Sequence, residues 1–127
     1  MKTMRLLGVA LVLLLIAGTA FAEYDRDTVR GVMQDNLKRI RELDGVAANG
    51  DFRGAAVLLI GFAQGMMKIE PYTPSRGEKS AWDDTFKDFI NTTFRGIGAC
   101  GIEDRDALLV AVGELKQLMQ TGHSLFR

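Results

Sequence analysis

His123 is the first residue to consider for chemistry, because it is the only histidine in the 127-residue chain. An imidazole can act as a general base or bind a metal ion. Nucleophilic catalysis would need a reactive side chain beside it, and a zinc site would need further histidine or cysteine ligands. The single cysteine, Cys100, is remote in sequence, and no acidic residue lies within eight positions of His123. The sequence therefore predicts neither an enzyme nor a zinc site.

The residues before His123 suggest a different chemistry. Met119 and Gly122 precede it with the spacing of the two cysteines in a haem-attachment sequence, Cys-x-x-Cys-His. Covalent attachment needs thiols that add to the haem vinyl groups, and neither residue has one. Imidazole is nevertheless a suitable ligand for iron. Two alternatives follow: the chain holds haem non-covalently through His123, or it holds none.

Four amphipathic helices are expected to position these residues. In the last helix the apolar positions recur three and four residues apart, from Leu108 to Phe126, as on a face packed against a core. The other three helices are predicted from about Asp25 to Leu43, from Phe52 to about Ile69, and from near Ser80 onward.

Glycine-rich and proline-rich segments separate the predicted helices. They are "DGVAANGD" at 44–51, "EPYTPSRG" at 70–77 and "GIGACGIEDRD" at 96–106. Asp51 can cap the second helix. Cys100 falls in the third segment, where we expect a small loop residue. The alternative is a free thiol able to pair with another chain.

Short connections between four helices predict an all-α fold, an antiparallel up-down-up-down four-helix bundle. In that topology, the start of the first and third helices and the end of the second and fourth helices share one end of the molecule. The residues brought to that end are Met33, Met66, Met67, Trp82, Phe86, Met119 and His123. Glycines inside the helices allow close packing, and Gly122, beside the histidine, could leave room for a flat ligand.

The N-terminus has the parts of a secretory signal peptide. Lys2 and Arg5 form a basic start, the apolar run Leu6–Gly18 follows, and small residues precede a cleavage site after Ala22. An uncleaved membrane anchor is the alternative. We expect residues 1–22 to be removed and residues 23–127 to form a domain that is periplasmic or otherwise exported.

The chain after Ala22 is close to neutral, with 14 Lys and Arg against 16 Asp and Glu, a formal net charge of −2. Such a charge gives no reason to expect a nucleic acid partner. We also expect no stable membrane insertion once the leader is removed. A redox or other periplasmic protein partner and a homodimer both remain open.

Three segments and their order resemble the cytochrome c prime family and its low-spin c-556 relatives, which are exported four-helix bundles of similar size. The segment "RGVMQDNLKRI" is similar to the first helix of that family, and "SAWDDTFKDF" is similar to the third. The C-terminal "GHSLFR" matches the end of the fourth helix, where an aromatic and a basic residue follow the histidine. The resemblance covers essentially the whole chain after the leader.

The resemblance implies roles for individual residues. Met33 stands where the low-spin members supply a methionine ligand, so His123 and Met33 would bind the iron. The candidate haem-binding residues are His123, Met33, Met119, Gly122, Met66, Trp82 and Phe86. The missing thiols are a departure from the family, so the covalent haem is not implied.

Two functions therefore remain open. In the first, the bundle binds haem non-covalently for electron transfer or for binding a small gas molecule. In the second, the bundle is free of haem and acts as a binding or interaction protein. Met119 would then help to fill the emptied cavity, since methionine adapts to irregular spaces.

Overall fold

The computed structural model describes residues 25–74 and 76–126. The predicted leader 1–22, its cleavage site and Arg127 lie outside the described residues. Within them the chain forms four α-helices and no strand, which confirms the all-α prediction. The helices are α1 (Arg26–Ala48), α2 (Phe52–Ile69), α3 (Lys79–Gly101) and α4 (Arg105–Phe126).

Aspartate side chains mark the beginnings of three helices. The Asp25 carboxylate accepts a hydrogen bond from the backbone N–H of Thr28, and the Asp51 carboxylate accepts one from that of Gly54 at 2.9 Å. Asp104 does the same for Ala107 at 3.0 Å. Each contact satisfies a backbone donor that the first helical turn leaves without a partner. The capping role predicted for Asp51 is therefore confirmed.

The four helices pack as a bundle around one apolar core. Helix α1 contacts α2 and α4, while α3 contacts α2 and α4. The core takes large side chains from every helix, among them Leu43, Leu59, Phe62, Phe89, Leu108 and Leu115. Of these, Leu108 and Leu115 belong to the predicted apolar face of the last helix.

Two helices extend beyond their predicted ends. Helix α1 continues through Gly45 to Ala48, and the chain turns only at Gly50, whose φ is +70°. Helix α3 continues to Gly101, so the prediction that Cys100 is a loop residue was wrong. Cys100 is buried in the last turn of α3, and this burial raises the pKa of its thiol.

The α1–α2 contact includes a buried polar residue. The Asn36 side chain donates to the carbonyl oxygen of Phe62 at 3.4 Å and accepts from Arg39 Nη1 at 2.8 Å. A Cβ at Gly65 would lie 3.1 Å from Asn36 Oδ1, so the glycine permits this close approach. The neighbouring Leu37 is 37% exposed.

By length and composition, α2 is apolar enough to cross a membrane, the one described helix of which this is true. Core helices of globular proteins can have the same character. The side chains of Leu59, Phe62 and Met66 on α2 are buried in the bundle.

Candidate functional site

A cavity of about 520 Å³ lies between α1, α3 and α4. This volume is within the range of small-molecule sites, about 300–1,000 Å³. Six of the seven candidate haem-binding residues line it: Met33, Trp82, Phe86, Met119, Gly122 and His123.

One imidazole and two thioethers line the cavity: His123 and Met119 on α4, and Met33 on α1. His123 lies in the last turn of α4 and Met33 about two turns after the start of α1, and both side chains are half-buried. Within the described part of the chain, no hydrogen bond engages the His123 ring. Imidazole and thioether are both established axial ligands of haem iron. The lining of the cavity includes no thiol, because Cys100 lies elsewhere, in the last turn of α3.

Gly122 leaves open space at the cavity wall. The residue is buried, yet a Cβ added to it would meet no atom within 4 Å outside its own helical backbone and chain neighbours. Gly96 behaves differently, since a Cβ there would lie 3.0 Å from Leu59 Cδ1. Close packing therefore accounts for Gly96, and the absence of a side chain at Gly122 widens the cavity beside His123.

Aromatic rings form the wall contributed by α3 and the end of α4. The Trp82 ring lies 4.7 Å from that of Phe86 and packs edge-on against that of Phe126 at 5.1 Å, both measured between ring centroids. Trp82 Nε1 donates to the carbonyl oxygen of Glu70 at 3.0 Å, which fixes the indole. The backbone of Gly77, with φ of +84°, lies so close to Phe126 that a Cβ would be 2.9 Å from its ring. The α2–α3 connection thus secures one end of the cavity.

The seventh candidate, Met66, does not line this cavity. Met66 and its neighbour Met67 line a second cavity of about 360 Å³ between α2 and α3. Met66 is buried and Met67 is 52% exposed. Phe86 lines both cavities.

Sequence reasoning missed the residues of α1 at the edge of the cavity. They are Arg26, Arg30, Gln34 and Leu37. Their spacing of three and four residues places them beside Met33 on one side of the helix, so a helical projection centred on Met33 would have found them.

A larger groove of about 820 Å³ lies between α3 and α4, and its lining is mostly polar. Across it the Arg95 guanidinium pairs with the Glu114 carboxylate, which raises the pKa of Arg95. The described residues contain no group of three histidine, cysteine, aspartate or glutamate side chains placed to hold a metal ion. This groove offers none of the ligands found in the cavity of His123.

No family model, curated protein or solved structure matches the chain. The resemblance to cytochrome c prime therefore stays a prediction that depends on the residues themselves.

Proposed function

We propose that the protein is an exported, antiparallel up-down-up-down bundle that binds haem non-covalently in the cavity between α1, α3 and α4. His123 is the proximal ligand of the iron and Met33 is the second ligand. The function is electron transfer or the binding of a small gas molecule. Export is inferred from the basic and apolar N-terminal sequence that precedes Ala22.

The observation that supports this proposal best is the combination of ligands in one cavity. An imidazole from α4 and a thioether from α1 line the same space, next to a glycine that leaves the wall open. The cavity is partly open to solvent along α1, so a ligand could enter it from solution. Met119 is buried beside the cavity and still does not close it.

The chemistry of the lining also fits a flat, largely apolar macrocycle. Trp82, Phe86 and Phe89 offer aromatic surface, and Arg26 and Arg30 lie at the edge of the cavity. Haem, when bound, supplies a redox-active iron. The chain supplies the two ligands and an apolar environment, and both influence the reduction potential of such an iron.

The contacts between α1 and α4 support the antiparallel topology. Lys116 Nζ on α4 pairs with the carboxylate of Asp44 near the end of α1, at 2.5 Å. His123, farther along α4, shares the cavity with Arg26, at the start of α1. Later residues of α4 therefore meet earlier residues of α1, as the proposed topology requires.

A hemin titration of the purified protein, followed in the Soret region, tests the proposal. Wild-type protein is expected to bind one equivalent saturably, and His123→Ala to abolish the hemin-induced band. Met33→Ala is expected to retain binding but alter the spectrum, since one axial ligand is lost. Met67→Ala is the matched control, because Met67 does not line this cavity.

Two results would contradict the proposal. A double variant, His123→Ala with Met33→Ala, that keeps wild-type hemin affinity would show that the cavity is not the site. Absence of saturable binding to folded wild-type protein would favour the haem-free bundle acting as a binding or interaction protein.

A further inference from the structure

One face of α1 carries three arginines. With about 100° between successive residues, Arg26, Arg30 and Arg41 fall within about 60° of one another, and Leu37 lies among them. Arg26 to Arg41 spans about 22 Å of helix. Leu37 is 37% exposed and lies at the edge of the cavity.

The adjoining face of α4 continues this pattern. Arg105, Leu109 and Lys116 fall within about 40° on the helical projection. The contact between Lys116 and Asp44 directs this face towards that of α1. Leu109 is 39% exposed, so each helix adds one exposed leucine to a mainly cationic surface. We call these two faces together the basic face.

Most of the positive charge on the basic face is unpaired. The one acidic residue within these two arcs is Asp44, which pairs with Lys116, while Asp27 and Asp106 border them. Within the described residues, no ion pair engages Arg26, Arg30, Arg41 or Arg105. Arg26 and Arg105 are also the first residues of their helices, where the helix dipole disfavours a cation. These arginines therefore add little to the stability of the isolated bundle.

We infer that the basic face is a docking surface for an acidic protein partner. Its positive charge complements carboxylates, and such complementarity steers association and selects partners. Leu37 and Leu109 favour a protein over a nucleic acid backbone, because a protein partner can cover them with apolar side chains.

The basic face borders the cavity proposed for haem, so docking there bears on the proposed function. Arg26, Arg30 and Leu37 belong both to this face and to the lining of the cavity. A protein docked there comes next to the edge of the cavity, where an electron carrier would have to lie. That consequence depends on haem binding, whereas the docking itself does not.

Two acidic peptides of equal length test the inference on hemin-free protein and on hemin-treated protein. One contains glutamate alone, and the other has leucine at every fourth position. We expect both to bind, with affinity falling as salt rises, and the leucine-containing peptide to bind more tightly. The triple variant Arg30→Gln, Arg41→Gln, Arg105→Gln is expected to lose about tenfold in affinity.

The matched control removes the same charge from other faces: Arg53→Gln, Lys68→Gln, Lys87→Gln. It is expected to bind like wild type, while Leu37→Ser should remove the advantage of the leucine-containing peptide. Equal losses in both triple variants would overturn the inference, since only net charge would matter. So would tighter binding of duplex DNA than of either peptide at the same salt concentration, or no binding at low salt.

If the protein does not bind hemin, the peptide measurements on hemin-free protein still test the docking surface. The proposed function and the docking surface can therefore fail separately.

Discussion

His123 is the residue on which the haem proposal depends most. Its spacing from Met119 and Gly122 suggested a haem-related position, and the histidine lines a cavity with open space at Gly122. An ordinary histidine at a helix end would interact with the helix dipole in solvent. His123 lies half-buried in the last turn of α4, and it borders a partly open cavity that Met33 also lines.

The first prediction compares two glycines that both lie inside helices, Gly122 and Gly96, but have different neighbours. Gly122→Ala should stabilise the hemin-free protein by about 0.5–1 kcal/mol, because a Cβ there meets no neighbour and alanine favours the helix. Gly96→Ala should destabilise it, because the new Cβ lies 3.0 Å from Leu59. Urea unfolding followed by circular dichroism measures both effects.

Gly113→Ala is the control for this comparison, since Gly113 also has open space but does not line the cavity. It should stabilise the protein without changing hemin affinity, whereas Gly122→Leu should lower that affinity by filling the space beside His123. Equal hemin affinity in Gly122→Leu and wild type would argue against this part of the cavity as the site.

At the scale of helices, apolar spacing predicted the presence of each helix better than the residue at which it ends. Helix α2 has the predicted bounds, because Asp51 caps its start and a proline-containing segment follows its end. Helices α1 and α3 pass through Gly45 and Gly98, although each glycine costs about 1 kcal/mol. Burial of Ala47 and Cys100 beyond those glycines offsets the cost, and that burial is a tertiary effect.

The rotation of each helix about its axis was less predictable than its existence. Helix α2 is apolar around much of its circumference, so its sequence did not decide whether Met66 faces α1 or α3. In the structure Met66 lines the cavity between α2 and α3, not the cavity of His123. On α1, an asparagine at position 36 takes a core position that periodicity would assign to an apolar residue, and Leu37 is turned outward.

A second prediction tests the link between α2 and α3. Lys79 Nζ donates to the carbonyl oxygens of Glu70 and Tyr72 and pairs with the Asp83 carboxylate at 2.8 Å. The hydrogen bond from Lys79 is the main reason that the pKa of Asp83 is lowered from its ordinary value of 3.8. Asp83→Asn should therefore destabilise the protein at neutral pH, by less than about 1 kcal/mol because the pair is partly exposed.

The pH dependence of this effect has a defined sign. A carboxylate whose pKa is lowered in the folded state stabilises it above the unfolded pKa, and the contribution is lost as pH falls through the folded pKa. The stability difference between wild type and Asp83→Asn should thus shrink below pH 3.8. Asp88→Asn on the same helix is the control, and an equal pH-dependent difference for both variants would refute the role of Lys79.

A third prediction uses the register of α4. Met119→Cys with Gly122→Cys recreates Cys-Gln-Thr-Cys-His at residues 119–123. Coexpressed with a haem-maturation system, this double variant should gain covalent haem, seen as a mass increase of one haem group, and remain helical. The cavity beside Gly122 limits the cost of overpacking, which otherwise reaches about 1–3 kcal/mol.

Maturation of a cytochrome of known attachment in the same cells provides the positive control. If that cytochrome matures while the double variant stays free of haem, the proposed register of α4 or the suitability of the cavity is wrong.

At the scale of the whole molecule, the cavity between three of the helices coincides with the site proposed for haem. The cavity lies between α1, α3 and α4, while Gly65 and Gly96 allow α2 to pack closely against α1 and α3. The sequence predicted a four-helix bundle and a residue-rich end. The size of the cavity could not be predicted, because it depends on how side chains from three helices fill a shared volume.

A fourth prediction follows from the lack of thiols in the cavity. Any haem bound to wild-type protein should be removed completely by acid–acetone extraction, because no thioether bond holds it. Loss of all Soret absorbance from the protein fraction is the expected result. Haem that stays with the polypeptide after denaturing electrophoresis would contradict the non-covalent proposal.

A fifth prediction concerns removal of residues 1–22 during export. Expressed in a bacterium with its own export machinery, the protein should be recovered with Glu23 as its first residue. Intact mass spectrometry of the periplasmic fraction measures this, with an Ala20→Arg, Ala22→Arg variant as a control that should block cleavage. Recovery of wild-type protein that retains residues 1–22 would favour an uncleaved anchor.

The surroundings of Trp82 give the protein an internal optical reporter. It is the only tryptophan in the sequence, its ring is 3% exposed, and it forms part of the cavity wall. Its emission should therefore be characteristic of an apolar environment and report on the surroundings of this one ring. A bound chromophore absorbing in the near ultraviolet would quench this emission by energy transfer, so occupancy and binding rates could be followed without any label.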